Sequence, residues 1–251
     1  YSAGLGKERA EELNQMFRDN EVKAIWCIRG GDTSSHVMDK IDSSVIRNCP
    51  KIFVGYSDIT NLHVYFNQKC DLVTFHGPMV KSNMLHSYDD FTRASFYKAL
   101  NMKDELILEN PKGESFQVMK EGTAEGTIVG GNLSLLVSMI GTPYEVDTCG
   151  KILFIEDVDE DVRRLDRMMY QLKYSNKLQD AAGIILGDFT NCINESDINY
   201  SVINMFKDVL VDYDKPVMYN IKSGHCFPMS TIPLGTKCTI NTMLKLIKFN
   251  K

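Results

Sequence analysis

Ser57 follows Gly55 and Tyr56 at the end of the apolar run Lys51-Ile-Phe-Val-Gly55, where a helical pattern begins. A strand that turns sharply into a helix exposes a hydroxyl and aims backbone N–H groups at one point, which makes Ser57 a candidate nucleophile. The fifth position of the segment is Ile59, so the G-x-S-x-G elbow of the α/β-hydrolases is not completed. A serine that opens a helix also serves as a plain cap, and these residues alone leave both roles open. A serine nucleophile needs a base to take its proton and a third group to orient that base. Five histidines are available. His225 lies in Ser223-Gly-His-Cys-Phe-Pro228, after a strand pattern and between Gly and Pro, in a loop that can carry an imidazole into a cleft. His36, His63 and His86 sit in helical or polar surroundings and read as surface or core-edge residues. His76 ends a strand before Gly77-Pro78, where it could line the same cleft without being catalytic. Glu156 emerges at the end of Lys151-Ile-Leu-Phe-Ile155, placed to hold an imidazole by a charge-assisted hydrogen bond. Asp157, Asp159, Glu160 and Asp161 crowd the same stretch, so a solvated acidic loop is the plainer alternative.

The elements that must position these residues alternate. Helical spacing over 7–17 precedes a strand at 22–28. A helix over 37–48 precedes the strand at 51–55, and a helix over 60–68 precedes a strand at 72–75. That alternation builds a parallel sheet. Between Asn101 and Gly122 the pattern weakens into charged, Asn-Pro-Lys-Gly-containing sequence, where domain boundaries tend to fall. Beyond it, strands are expected at 127–129, 151–155, 183–186 and 216–219, with helices at 133–140, 163–173 and 198–211. The expected fold class is α/β. An N-terminal Rossmann-like parallel-sheet domain over 1–105 carries Ser57, a linker spans 106–122, and a smaller C-terminal mixed α/β domain over 123–251 carries Glu156 and His225.

With 43% hydrophobic and 24% charged residues, the chain reads as an ordinary globular protein. No apolar run is long enough for a membrane span. The net charge of −5 argues against nucleic acid as a partner. Seven cysteines without a C-x-x-C pair fit reduced thiols in a cytoplasmic protein better than disulfides or a zinc site. The opening Tyr1-Ser-Ala-Gly reads as the middle of a protein, with sequence expected upstream.

Ala24-Ile-Trp-Cys-Ile-Arg-Gly-Gly31, Pro50-Lys-Ile-Phe-Val-Gly-Tyr-Ser-Asp-Ile-Thr60 and Thr74-Phe-His-Gly-Pro-Met79 resemble successive signatures of the LD-carboxypeptidase family. Gly130-Gly-Asn-Leu133, Ile152-Leu-Phe-Ile-Glu-Asp157, Gly183-Ile-Ile-Leu-Gly187, Gly224-His225 and Ile232-Pro-Leu-Gly235 follow in the family's order, so the resemblance covers nearly the whole chain. It implies a Ser57, Glu156 and His225 triad, a homodimer, and no metal or cofactor. The family's first strand and helix have no counterpart here, and the loop Gly30-Gly-Asp-Thr-Ser34 lacks an aromatic and a glycine common there. The family also contains microcin C immunity peptidases, which cleave an aminoacyl-sulfamoyl adenylate. Gly187-Asp-Phe-Thr-Asn-Cys192 resembles the carboxypeptidase branch, whereas His225-Cys-Phe-Pro-Met229 resembles the immunity branch.

For the carboxypeptidase branch the resemblance implies cleavage of the L,D-amide that releases terminal D-alanine from a murein tetrapeptide in cell-wall recycling. Backbone N–H groups of Gly31 and Asp58 are the expected oxyanion donors. Arg29 could meet the substrate's free carboxylate or make a structural ion pair. A rival of another class is a nucleotide- or phosphate-binding module built on Arg29-Gly30-Gly31 or Gly4-Leu-Gly-Lys7, although neither completes a known motif.

Overall fold

The computed structural model describes residues 2–197 and 199–250. Helix α1 (Gly6–Arg18) buries Ala10, Leu13 and Phe17 along one face, the spacing that a helix needs to cover a sheet. Strand β1 (Ala24–Trp26) follows. The single helix expected over 37–48 is instead a 3-10 turn over Ser34–Lys40 and a separate α2 (Ser43–Asn48). The break falls at Asp42, whose carboxylate accepts from the N–H groups of Ser44 and Val45 and so caps the second piece. Next come β2 (Ile52–Gly55), a 3-10 turn over Ser57–Ile59, α3 (Thr60–Cys70), β3 (Thr74–His76), α4 (Leu85–Ser87) and α5 (Asp90–Leu100). Strands β1, β2 and β3 are parallel neighbours, as the strand and helix alternation requires.

The remaining elements are β4 (Glu105–Ile107), β5 (Gln117–Lys120), β6 (Thr123–Asn132), α6 (Leu133–Ser138), β7 (Ile152–Val158), α7 (Val162–Tyr174), α8 (Lys177–Asp180), β8 (Gly183–Thr190), α9 (Val202–Val209), β9 (Val217–Tyr219), β10 (Ile232–Leu234), β11 (Lys237–Asn241) and β12 (Leu246–Asn250). Their sheet runs β4-β12-β11-β6-β7-β8-β9-β5, and its centre, β6 to β9, is parallel. Residues Ile152–Ile155 of β7 are wholly buried, which explains why that strand reads as an uninterrupted apolar run. Ile198, where the last long helix was expected to start, lies outside the described residues; α9 begins at Val202 with Ser201 as its cap.

The larger sheet has eight strands and the other four. In the stretch 106–122, expected as a linker, β4 overlaps the start and β5 lies within, and the two form the outer edges of the larger sheet. Both are short and only partly buried, so they lack the apolar alternation that betrays a strand. The two halves are also stitched together, because β10 leaves the C-terminal part to pair antiparallel with β3. Among the described residues no helix is long and apolar enough to cross a membrane.

Candidate active site

Ser57 sits immediately beyond β2 with φ at 68°, in the left-handed region that a side chain normally avoids. Such a residue costs about 1–2 kcal/mol. The surroundings hold it there. Gly55, two residues before, accepts at its carbonyl from the Nε2–H of His63 on α3 at 2.9 Å and from the N–H of Gly77 at 3.2 Å. On the far side, Asp58 turns its carboxylate into the interior and accepts from the N–H groups of Thr33 and Ser34, each at 3.0 Å, and from Ser34 Oγ at 2.7 Å. The loop after β1 is thereby tied to the serine turn. Neither the Gly31 nor the Asp58 N–H is engaged by another protein group among the described residues, which leaves both free to bind an oxyanion.

The opposite wall is built on the parallel centre of the larger sheet. Gly131, at φ 142°, is the penultimate residue of β6, and a Cβ there would lie 2.5 Å from Thr60 Oγ1. Only glycine lets α3 start this close to the sheet, where Thr60 Oγ1 accepts from Asn132 N–H at 2.9 Å. Asn132 is the register partner of Glu156 on β7, so the helix behind the serine is locked to the strand that carries the acid. Glu156 is fully buried, and its Oε2 accepts from His225 Nδ1 at 2.8 Å. Gly224 makes that approach possible: its φ is 129°, and a Cβ there would fall 2.6 Å from Glu156 Oε2. Thr190 Oγ1 lies 3.1 Å from the His225 carbonyl and ties the loop to β8.

Burial alone disfavours a charged imidazole, but the hydrogen bond and charge of Glu156, with the charges of Asp157 and Asp159, outweigh it and hold His225 above its ordinary value. Burial pushes the Glu156 carboxyl up. With Nδ1 bound to Glu156, the free Nε2 is the nitrogen that can face a substrate. The Tyr56 ring packs edge-on against His225 with centroids 4.9 Å apart, fixing the plane of the imidazole. Ser57 and His225 line one cavity of about 430 Å³, together with Gly30, Gly31, Arg29, Lys81 and His86. Among the described residues no hydrogen bond links Ser57 to His225; such contacts commonly tighten only when substrate is bound.

The other histidines separate cleanly. His63 is buried and pushed down to about 4 by burial. His76 lies fully buried between Tyr56 and Phe154, and burial drives it well below its ordinary value, so it stays neutral beneath the site. His86 is exposed, as expected, but at the cavity rim. The acidic stretch from 156 is not a solvated loop at its start: Asp157, still within β7, is buried and accepts from Asn132 Nδ2, Ser134 N–H and Ser134 Oγ. Sequence reasoning missed this brace and the one made by Asp58; an acid directly following a strand or a candidate nucleophile was the available signal. A second cavity of about 570 Å³, walled by Phe189, Cys192, Val202 and Phe206, holds none of Ser57, Glu156 and His225.

The Gly4–Lys7 segment, weighed as a phosphate loop, is used differently. Gly6 opens α1 so close to the His36 carbonyl that a Cβ would meet it at 2.3 Å. Comparison with known proteins then decides the family. The family model of the LD-carboxypeptidase N-terminal domain matches residues 1–77, and that of the LD-carboxypeptidase C-terminal domain matches residues 125–240. The chain belongs to the LD-carboxypeptidase family. As a member of that family it is a serine peptidase. It is 44% identical over 247 residues, 98% of this chain and 77% of the relative, to a probable murein peptide carboxypeptidase of Bacillus subtilis (strain 168). The microcin C7 self-immunity protein MccF of Escherichia coli is 31% identical over 269 residues, covering 96% of this chain and 77% of that protein. Among solved LD-carboxypeptidase folds, the muramoyltetrapeptide carboxypeptidase from Oxalobacter formigenes superposes with a TM-score of 0.88 at 27% identity, over 99% of this chain and 86% of that one. MccF in complex with glutamyl sulfamoyl guanosine superposes with a TM-score of 0.91 at 27% identity, over 100% of this chain and 82% of that one.

Proposed function

We propose that the protein is a murein-peptide LD-carboxypeptidase that releases terminal D-alanine from a tetrapeptide, with Ser57 as nucleophile, His225 as general base and Glu156 as the group that orients it. The observation that carries the proposal is the buried Glu156 and His225 pair opening into the same cavity as a serine held at positive φ. The 44% identity to the Bacillus subtilis protein supports the murein substrate.

Ser57 Oγ attacks the scissile carbonyl carbon as His225 Nε2 takes its proton, and the carbonyl oxygen becomes an oxyanion facing the N–H groups of Gly31 and Asp58. Each donor contributes about 3 kcal/mol to the transition state. Collapse breaks the C–N bond, His225 gives its proton to the departing amine, and D-alanine leaves. Water, deprotonated by the same imidazole, then attacks the ester and frees Ser57. Glu156 holds Nδ1–H and stabilises the imidazolium in both steps.

The site lies at the junction of an N-terminal unit over 1–105 and a C-terminal unit over 123–251. Wall recycling in the cytoplasm by a homodimer completes the proposal; seven free cysteines suit a reducing compartment. A second reading, hydrolysis of an aminoacyl-sulfamoyl nucleotide, draws on the TM-score of 0.91 to MccF. Incubation with an L,D-tetrapeptide and, separately, with such a nucleotide distinguishes the two by mass spectrometry. Release of D-alanine is expected. Cleavage of the nucleotide alone would overturn the murein assignment.

A further inference from the structure

An enzyme that removes only a terminal residue must read that residue's free carboxylate. In the peptide this group lies three bonds from the scissile carbonyl carbon, along C–N, N–Cα and Cα–C. A cation that binds it must therefore border the nucleophile.

Two cations do. Gly30 is packed so tightly on the serine turn that a Cβ there would lie 2.9 Å from both Cβ and Oγ of Ser57. Arg29 is the residue immediately before it. Lys81 is placed beside that strand end by its backbone, because its N–H donates to the Ile28 carbonyl at 2.7 Å and the Val80 N–H donates to the Cys27 carbonyl. Both side chains line the cavity that contains Ser57 and His225. Most of the other arginines hold acceptors: Arg9 donates to Thr33, Arg18 to Glu11, Arg93 to Asp90 and Arg163 to Asp161. Arg29 and Lys81 are exposed and, among the described residues, hold none. Among the described residues, Arg29 makes no structural ion pair. Asp32 lines the same cavity, so Arg29 and Lys81 together leave its walls with a net positive charge in a chain of net charge −5.

We propose that Arg29 and Lys81 form the subsite for the substrate's terminal carboxylate and so make this hydrolase an exopeptidase. The guanidinium offers a forked, two-bond contact and the ammonium a second point charge. The inference rests on the peptidase assignment above. It predicts strong discrimination between the tetrapeptide acid and its C-terminal carboxamide, which has the same scissile bond without the charge.

The test measures kcat/KM for both peptides with the wild-type protein and with the double variant Arg29→Gln/Lys81→Gln. Both positions are exposed, so the fold is expected to survive, and a melting curve checks it. The wild type should prefer the acid by roughly 10- to 100-fold per charge-assisted contact. The double variant should lose that preference through a slower reaction of the acid, with the carboxamide rate unchanged. Equal wild-type rates on the two peptides, or an equal drop on both in the variant, would overturn the subsite while leaving the peptidase standing. Absence of any Ser57-dependent cleavage of either peptide would instead bring down the peptidase assignment and the subsite with it.

Discussion

Around Ser57 the groups that matter are mostly backbone groups, a positive φ and two unengaged N–H donors, with a loop held by the Asp58 carboxylate. Around His225 they are side chains: a buried carboxylate, an imidazole and an aromatic ring that fixes its plane. The first wall works chiefly by the shape of its backbone. The second works by electrostatics and depends on which atom of Glu156 faces which nitrogen of His225. One site is therefore vulnerable in two different ways, and substitutions can separate them.

Glu156→Gln is expected to do the most damage on the electrostatic side. An amide offers Nδ1 either a carbonyl or an NH2 group, supports the wrong tautomer and cannot stabilise the imidazolium, so kcat should fall on the order of 10³- to 10⁴-fold. The same change should move the pH profile. His225 is raised above 6.5 chiefly by Glu156, working against burial. It must be neutral to act as base, so wild-type kcat/KM should rise with pH through a limb above 6.5. Removing the Glu156 charge should shift what remains of that limb to lower pH. A wild-type limb at or below the ordinary histidine value, or no shift in the variant, would contradict the pairing.

Gly224→Ala asks whether geometry alone can break the same wall. The new Cβ would fall 2.6 Å from Glu156 Oε2 at a backbone angle that alanine resists, so the His225 loop must move. Misplacement of about 1 Å costs roughly 10²-fold, and kcat should fall by that order with KM little changed. Wild-type kinetics in this variant would show that the loop has room to spare.

Asp58→Asn probes the shape-based wall and should have the smallest effect. It keeps the volume but removes the charge that strengthens three hydrogen bonds to Thr33 and Ser34. A loss of about 1–2 kcal/mol in stability is expected, with a drop in kcat near tenfold as the Gly31 donor loosens. Chemical denaturation and steady-state kinetics on one preparation check both. An unaltered midpoint together with a collapse in activity would mean that Asp58 acts in the chemistry itself rather than through the loop.

The sequence showed the site unevenly, for physical reasons. Ser57, Glu156 and the loop of His225 each stand next to a strongly apolar strand, and a buried parallel strand is the pattern a sequence displays most clearly. What joins them was less visible. The acid pair at 156 and 157 sits in a run of charges that reads as solvated, and only the closure of α3 onto β6 through Thr60 and Asn132 shows it to be interior. The edge strands β4 and β5 are short and partly polar, so a stretch that belongs to the larger sheet reads as a linker. The status of His76 depended on burial between Tyr56, in the turn after β2, and Phe154 on β7, which no local pattern could supply.

The central claim is that Ser57 performs the first bond-making step, and replacing it tests that claim most directly. D-Alanine release from the L,D-tetrapeptide should be measured for the wild type and for Ser57→Ala, with a melting curve to show that the fold persists. The predicted result is a folded variant whose turnover is lower by at least about 10⁴-fold. A folded Ser57→Ala variant that still releases D-alanine at the wild-type rate would contradict the account.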